Sequence, residues 1–249
     1  MSHDETIEAV LECMASHRTI RSFTKEPVPD EHIERAVAAA RMAATSSWIQ
    51  AYSLLQVVDE AERAQLAELT GNQAQVADAG AFFVVSADIR RHLLVAREAK
   101  VERVDNLETF LLAVIDASLF AQNLTLAFEA MGHGTCYIGG LRNRLPEVDA
   151  LLELPEGVWP LFGLCVGSPA GDPGLRPRFA PRSILARGRY PEDEELLRGV
   201  AEHDAEAASY YTDRGNPGRN WSGGLWRKFQ RPMREHLLAF YRSKGARLD

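Results

Sequence analysis

Cysteine is scarce in this chain and shows no pattern. Cys13, Cys136 and Cys165 stand far apart, with no CxxC pair and no paired framework. That spacing fits a reducing cytoplasm, each thiol being read as a small buried apolar side chain. Positive charge is not in excess either. A net charge of −7 argues against a general nucleic-acid or polyanion binder, so any basic site must be local. The seven histidines have no metal-ligand spacing, and no clustered acidic metal site, HExxH or GxSxG is present. GxGxxG and Walker loops are missing, which removes the standard dinucleotide and NTP cradles. The start, residues 1–5, is acidic and has no apolar signal core. The nearest approach to a membrane span, residues 107–131, is interrupted by Asp116, Gln122, Asn123 and Glu129. The expectation is a cytoplasmic protein with no metal, membrane or nucleic-acid partner.

What is present gathers first at His17-Arg18-Thr19-Ile20-Arg21-Ser22-Phe23. Two guanidinium groups stand three positions apart, with a histidine and a hydroxyl beside them. An apolar run at Ile7, Val10, Leu11 and Met14 predicts a helix over 6–16 that delivers the cluster at its C-terminal end. Arginine stays charged and offers forked donors, so the cluster suits a phosphate or an electron-rich heterocycle better than lysines would. A solvated basic turn offsetting the helix dipole explains the same residues. Spacing alone leaves both readings open.

At 249 residues, 46% hydrophobic and 25% charged, the chain suffices for one large domain or one with an appendage. Helices are predicted over 31–43, near 61–70 and over 106–132. Strands are predicted over 53–59, 81–87, 134–138 and 161–167, and near-continuous apolar runs imply cover on both faces. Residues 106–132 are apolar around nearly the whole circumference, which predicts a helix buried on most sides. Its cover is either a sheet and a second subunit or the middle of a monomeric core. Past a Pro/Gly/Arg-rich stretch at 169–181, helices follow over 194–212 and 225–244. This mixture without strict alternation favours α+β, or a three-layer sandwich, over a doubly wound fold. The expected division is 1–190 for the core and 191–249 for a helical extension.

Four further features carry polar groups. Thr45-Ser46-Ser47 is a hydroxyl-rich turn, and Gly71-Asn72-Gln73 sets an amide before a strand. Tyr137-Ile138-Gly139-Gly140-Leu141-Arg142-Asn143 follows a strand with glycines that let backbone amides approach a ligand. Arg176-Pro177-Arg178 holds two cations on a stiff loop. Each has a plainer reading as a solvated turn. Together, many anion donors without a nucleophile or metal set point to an organic cofactor that does the chemistry.

In this order the pieces resemble the nitroreductase family of flavin enzymes, and within it the NADPH-preferring oxygen-insensitive nitroreductases and flavin reductases. The carriers are HRTIRSF at 17–23, ARMAATSSWIQ at 40–50, LTGNQAQVADAGAFFVV at 69–85, YIGGLRN at 137–143, PLFGLCVGSPAGDPGLRPR at 160–178 and YYTDRG at 210–215. The resemblance implies a homodimer of α+β subunits, a mainly antiparallel central sheet flanked by helices, and a C-terminal helical extension serving NADPH binding and dimer packing. It implies FMN held non-covalently at the subunit interface, with the apolar helix as dimer core. NADPH would be the reductant, and a nitroarene, a quinone or free flavin the acceptor, in two-electron ping-pong hydride transfer. A flavin reductase supplying a partner, or a flavin binder without turnover, are the competing functions.

The same resemblance implies roles. Arg18, Arg176 and Arg178 hold the FMN phosphate, with His17 and Thr19 near the ribityl chain and pyrimidine. Arg21 sits by the flavin N1/O2 edge, and Thr45, Ser46 and Ser47 approach from the second subunit. Gln73 meets the pyrimidine or N5 edge, and the segment Tyr137, Ile138, Gly139 and Gly140 lies against N5/O4. Glu108 is a carboxylate near the flavin, and Arg214, helped by Arg142, grips the NADPH 2′-phosphate. No side chain serves as a nucleophile, and Cys136 is a buried structural thiol. The chain departs from the family pattern at Thr19 for serine, at Arg176 for lysine, and in a shortened serine run at Ala44 and Thr45.

Overall fold

A computed structural model of the chain describes residues 2–102 and 105–248, so Met1 of the acidic start lies outside the described residues. The first helix, α1 (His3–Ala15), opens on a capping box in which Ser2 and Glu5 satisfy each other's backbone amides. α2 (Asp30–Ala40) follows, then β1 (Tyr52–Gln56), α3 (Glu60–Leu69), the short α4 (Gln75–Asp78) and β2 (Ala81–Asp88). Next come α5 (Arg90–Glu98), the long α6 (Leu107–Ala130), β3 (Gly134–Ile138), α7 (Leu145–Leu152) and β4 (Val158–Gly167). The C-terminal part holds α8 (Asp193–Thr212), α9 (Trp221–Phe229) and α10 (Leu237–Ser243).

The four strands form one antiparallel sheet in the order β1-β2-β4-β3. Side-chain alternation along β2 divides the core. Phe82 and Val84 face α3, α4 and α7 through Leu66, Val76 and Val148. Phe83 faces α2 and α6 through Ala36, Ala40, Phe120, Leu124 and Phe128. Helices therefore cover both faces, which is the three-layer α+β arrangement expected. β2 is buried along its whole length, whereas β1 is an edge strand whose last residues are exposed. It stops short of Asp59 because that carboxylate caps α3, accepting from the Glu62 amide at 2.9 Å.

α6 is 24 residues long and apolar enough to cross a membrane by length and composition, which the sequence reading did not credit. Its packing makes it a core helix, with Ala113, Ala117, Phe120, Ala121, Leu124 and Phe128 buried against sheet and α2. Leu107, Leu111, Ile115 and Leu119 stay exposed along one stripe at four-residue spacing. The apolar face of α1, at Ile7, Val10, Leu11 and Met14, is exposed as well.

Two compact units are present: residues 2–173 with 234–248, and residues 174–233. The first unit runs to Pro173, and the chain's end from Arg234 onward belongs to it as well. The reason is apolar: Phe240, Tyr241 and Ala246 are buried in the same cluster as Trp159 and Ala117. The single helix expected over 225–244 is two helices, because Pro232 between α9 and α10 lacks the N–H that continuation requires. In the second unit α8 and α9 pack together, with Asp204 accepting from the Ser222 amide at 2.8 Å.

Candidate functional site

The HRTIRSF segment runs as an added edge beside β3. Thr19 bridges to Thr135 in parallel, and the Ile20 amide donates to the Thr135 carbonyl at 2.9 Å. Extended backbone sends alternate side chains to opposite sides. Ile20 enters the core with Cys136 and Phe82. His17 turns toward α6, where its Nδ1 lies 2.8 Å from Glu129 Oε1. The Thr135 hydroxyl donates to that same oxygen at 2.8 Å, and Glu129 Oε2 is buried with no hydrogen-bond partner among the described residues.

Arg18 does not stand as a bare cation. Its Nε meets Asp172 Oδ1 at 2.8 Å and its Nη1 donates to the Ser16 carbonyl at 2.9 Å. The pair lines a cleft of about 460 Å³ with Ile20, Glu129 and His133. Both partners are well exposed, so an anion competes with Asp172 for Arg18 at small cost. Arg21 is exposed, and its charge reaches the neighbouring β3. Burial pushes the Cys136 thiol up and Arg21 draws it part of the way back. Cys136 is buried and free, as the structural reading expected.

β3 leads into the turn Gly139–Asn143. Ile138 is wholly buried, so only its backbone is available to a ligand. Tyr137 is directed inward: its hydroxyl accepts from Thr125 Oγ1 at 3.0 Å, its ring meets Phe162 edge-on, and burial raises its pKa. Gly140 packs where nothing larger fits. A Cβ there would stand 2.3 Å from the Thr70 carbonyl oxygen and 2.4 Å from Gln73 Nε2. A Cβ on Gly139 would meet only Arg142 Nη2, at 3.6 Å. Gln73 is thereby brought beside the turn, its Nε2 donating to Thr70 O at 2.8 Å and its Oε1 accepting from Gln75 at 3.0 Å. Arg142 donates to the Leu161 carbonyl, which pins the turn to β4.

The hydroxyl-rich turn is held elsewhere along α6. Ser47, Trp48 and Gln50 all have positive φ (47°, 60° and 51°). Each such non-glycine residue costs about 1–2 kcal/mol. Asp116, completely buried, holds both ends of the turn: Oδ1 accepts from the Ser46 amide at 2.9 Å and Oδ2 from the Ala51 amide at 3.1 Å. Thr45 Oγ1 accepts from the Gln50 amide at 3.0 Å, and His92 Nε2 bonds the Ile49 carbonyl at 2.7 Å. Trp48 stands 82% exposed at the tip. Asp116 and Glu129 are thirteen residues apart on one helix, about 20 Å at the helical rise. Within one chain, the hydroxyl turn and the His17 segment are therefore far apart. Glu108 lies exposed in the first turn of α6.

The remaining arginines belong to the second unit. Arg176 and Arg178 are exposed, and Arg178 Nη1 donates back to the Arg176 and Pro177 carbonyls at 2.9 and 3.2 Å. Arg214 lies over the Tyr210 ring at 3.8 Å, while Arg219 lies 5.4 Å from the centre of the Tyr211 ring. Gly174 permits this approach, because a Cβ there would fall 2.7 Å from Arg214 Nη2. Among the described residues no three His, Cys, Asp or Glu side chains converge as a metal site.

Comparison with known proteins identifies the family. The family model described as "Nitroreductase family" matches residues 14–168, and that of its C-terminal domain matches residues 176–249. The chain belongs to the nitroreductase family. It is 40% identical over 238 residues to an oxygen-insensitive NADPH nitroreductase of Salmonella typhimurium, covering 94% of this chain and 97% of the relative. It is 38% identical to a Bacillus subtilis FMN reductase (NADPH), covering 97% and 98%. The solved structure of B. megaterium NfrA1 superposes with a TM-score of 0.93 at 40% identity, covering 96% and 99%.

The sequence reading had named His17, Arg18, Thr19 and Arg21 on one segment, and Gln73 with Gly140, which are in contact. It missed Asp116, Glu129, Thr135 and Asp172, the groups that hold these elements. The two α6 carboxylates were visible only as interruptions of an apolar helix. A buried acid in such a helix is a signal in itself, since its charge demands donors.

Proposed function

We propose that this protein is an FMN-dependent NADPH oxidoreductase that reduces nitroaromatics and quinones by two-electron transfer. The observation that carries the reading is the likeness to NADPH-dependent nitroreductases over nearly the whole chain, and it is supported by the polar HRTIRSF edge beside β3 and by Gln73 packed on the turn that follows β3. The donor set fits a flavin mononucleotide. His17, Thr19 and Arg21 lie at alternate positions of an extended edge, and Gly139 leaves its backbone open to a planar ring. When bound, FMN supplies hydride acceptance and donation.

The chain's own residues bind and tune. Arg21 places fixed positive charge by the pyrimidine edge, and the Gly139-Gly140 backbone lies against the ring. His17 and Thr19 meet the ribityl chain. Arg18 is a phosphate ligand that exchanges Asp172 for the anion, and the family resemblance assigns the same role to Arg176 and Arg178. Arg214, stacked on Tyr210, is the ligand of the NADPH 2′-phosphate, where a forked cation discriminates against NADH. Glu108 stays a candidate tuning carboxylate.

A homodimer completes this account. The exposed stripe Leu107, Leu111, Ile115 and Leu119 and the exposed face of α1 are apolar surface that a second copy covers. The separation of about 20 Å along α6 then has a use: Thr45, Ser46 and Ser47 serve the partner's flavin. We place the protein in the cytoplasm, with no metal, membrane or nucleic-acid partner.

A second reading is supported by the Bacillus subtilis relative, named as an FMN reductase: free flavin is the acceptor, and reduced flavin leaves for a partner enzyme. Steady-state rates with a nitroarene, a quinone and free FMN, each with NADPH and NADH, rank the two. A nitroarene or quinone preferred over free FMN supports the first, and the reverse order supports the second. No turnover with any acceptor overturns both. Sedimentation at the mass of two chains is expected alongside.

A further inference from the structure

Glu129 is a charged group at the inner end of α6 that neither reading of the reaction uses. One of its oxygens takes two donors, His17 Nδ1–H and the Thr135 hydroxyl, each at 2.8 Å. The other oxygen is buried without a donor among the described residues. An isolated structural carboxylate is better served by spreading donors over both oxygens, because an unsatisfied buried oxygen is costly. Here the donors converge on the single oxygen that faces the HRTIRSF edge. Thr135 is also the residue to which Thr19 and Ile20 are joined on β3. The carboxylate thus ties three elements at one atom: α6, β3 and the cofactor segment.

We propose that Glu129 is a positioning residue that fixes the ring of His17 for the polar tail of FMN. With Nδ1–H held by Glu129, Nε2 is the ring nitrogen left to accept from a ribityl hydroxyl. The carboxylate therefore selects both the proton position and the ring plane. The inference rests on the FMN reading above and adds to it a residue that touches no cofactor atom.

The test is a double-mutant cycle on FMN affinity, read as free flavin fluorescence when the purified holoprotein is serially diluted. Glu129→Ala is expected to weaken FMN binding about tenfold, the effect of losing one positioned hydrogen bond. In a His17→Ala background the same change is expected to do nothing further. Equal losses in both backgrounds overturn the proposal, because a merely structural carboxylate acts whether or not His17 is present. Glu129→Gln keeps the volume and one acceptor oxygen and is expected to retain most of the affinity, and a loss as large as that of Glu129→Ala overturns the proposal; Glu129→Leu, which has no acceptor, carries the cycle if Glu129→Ala does not fold. Ring ¹⁵N shifts of His17 give an independent readout. The wild type should show a fixed Nδ1–H form and Glu129→Ala a mixture, and unchanged shifts overturn the proposal. A protein that folds but binds no FMN in any variant overturns the FMN reading instead.

Discussion

Replacing Asp116 by asparagine tests whether the hydroxyl turn is held by one buried carboxylate. Asp116 accepts from the Ser46 and Ala51 amides through different oxygens, and an asparagine can accept through only one. The lost charge-assisted bond is worth about 1.5–3 kcal/mol. For a chain of this size that corresponds to a fall in Tm of about 3–12 °C. The three left-handed residues between the clamped amides store about 3–6 kcal/mol, more than the remaining bond holds. The turn should then relax and return part of that strain, placing the observed fall near the lower end of the range. The local effect is the sharper one. Amide exchange at Ser46 and Ala51, followed by mass spectrometry or NMR, should quicken about 10- to 100-fold, while core amides of β2 change much less. FMN binding should weaken as Ser46 and Ser47 lose their fixed places. Unchanged exchange at both amides, with a normal Tm, would refute the clamp.

Three further outcomes follow from the same structure. Arg214→Ala should raise the KM for NADPH about 10- to 100-fold with little change for NADH, the worth of one charge-assisted phosphate contact; an unchanged KM for NADPH rules Arg214 out as that ligand. Gly140→Ala should lower Tm by about 2–12 °C, since overpacking costs about 1–3 kcal/mol and the added Cβ meets Thr70 and Gln73. Gly139→Ala, whose added Cβ meets only Arg142 Nη2 at an ordinary contact distance of 3.6 Å, should leave Tm nearly unchanged, and equal effects of the two would contradict the packing described. The fourth outcome is a pH effect. Burial, and after it the adjacent His32, hold His133 below its ordinary 6.5. The folded state therefore binds this proton less readily than the unfolded one, so stability should be full above pH 6.5 and decline as pH falls below it. His133→Gln should flatten the decline in Tm over that window, and an unaltered slope would count against the assignment.

Legibility in the sequence followed local chemistry. β3 was readable to the residue because a short apolar run lies between Gly134 and the Gly139-Gly140 turn, and β2 because its apolar run is buried from both sides. The short helices α4, α5 and α7 were not foreseen. α5 opens on Arg90, Arg91 and His92, and it is tied to the fold by the bond from His92 to the Ile49 carbonyl and by Leu93 packed against the core. Pro232 was a legible stop that a periodic apolar pattern on either side outweighed. The return of the chain's end to the first unit was not legible, because nothing local tells Phe240 and Tyr241 which core they enter. There Tyr241 is buried deeply enough to push its phenol up to about 12, and its hydroxyl donates to the Pro160 carbonyl at 2.9 Å.

At the site, residue types announced themselves and their supports did not. Arg18 and Arg21 were picked out as fixed charge, yet Asp172 beside Arg18 lies in a loop with no periodicity to mark it. Arg142 was read as a helper at the NADPH 2′-phosphate, and its donation to the Leu161 carbonyl was not legible. Carboxylates that act through a neighbour, such as Asp116 and Glu129, become visible only when their donors are seen in three dimensions.

The central claim is that this chain holds FMN and reduces it with NADPH. Anaerobic addition of NADPH to the purified, FMN-loaded protein tests it most directly, followed by the long-wavelength absorption of oxidised flavin in a stopped-flow instrument. The account predicts rapid and complete bleaching with NADPH, slower bleaching with NADH, and recovery of colour when a nitroarene or quinone is added. Flavin that stays oxidised in the presence of excess NADPH would contradict it.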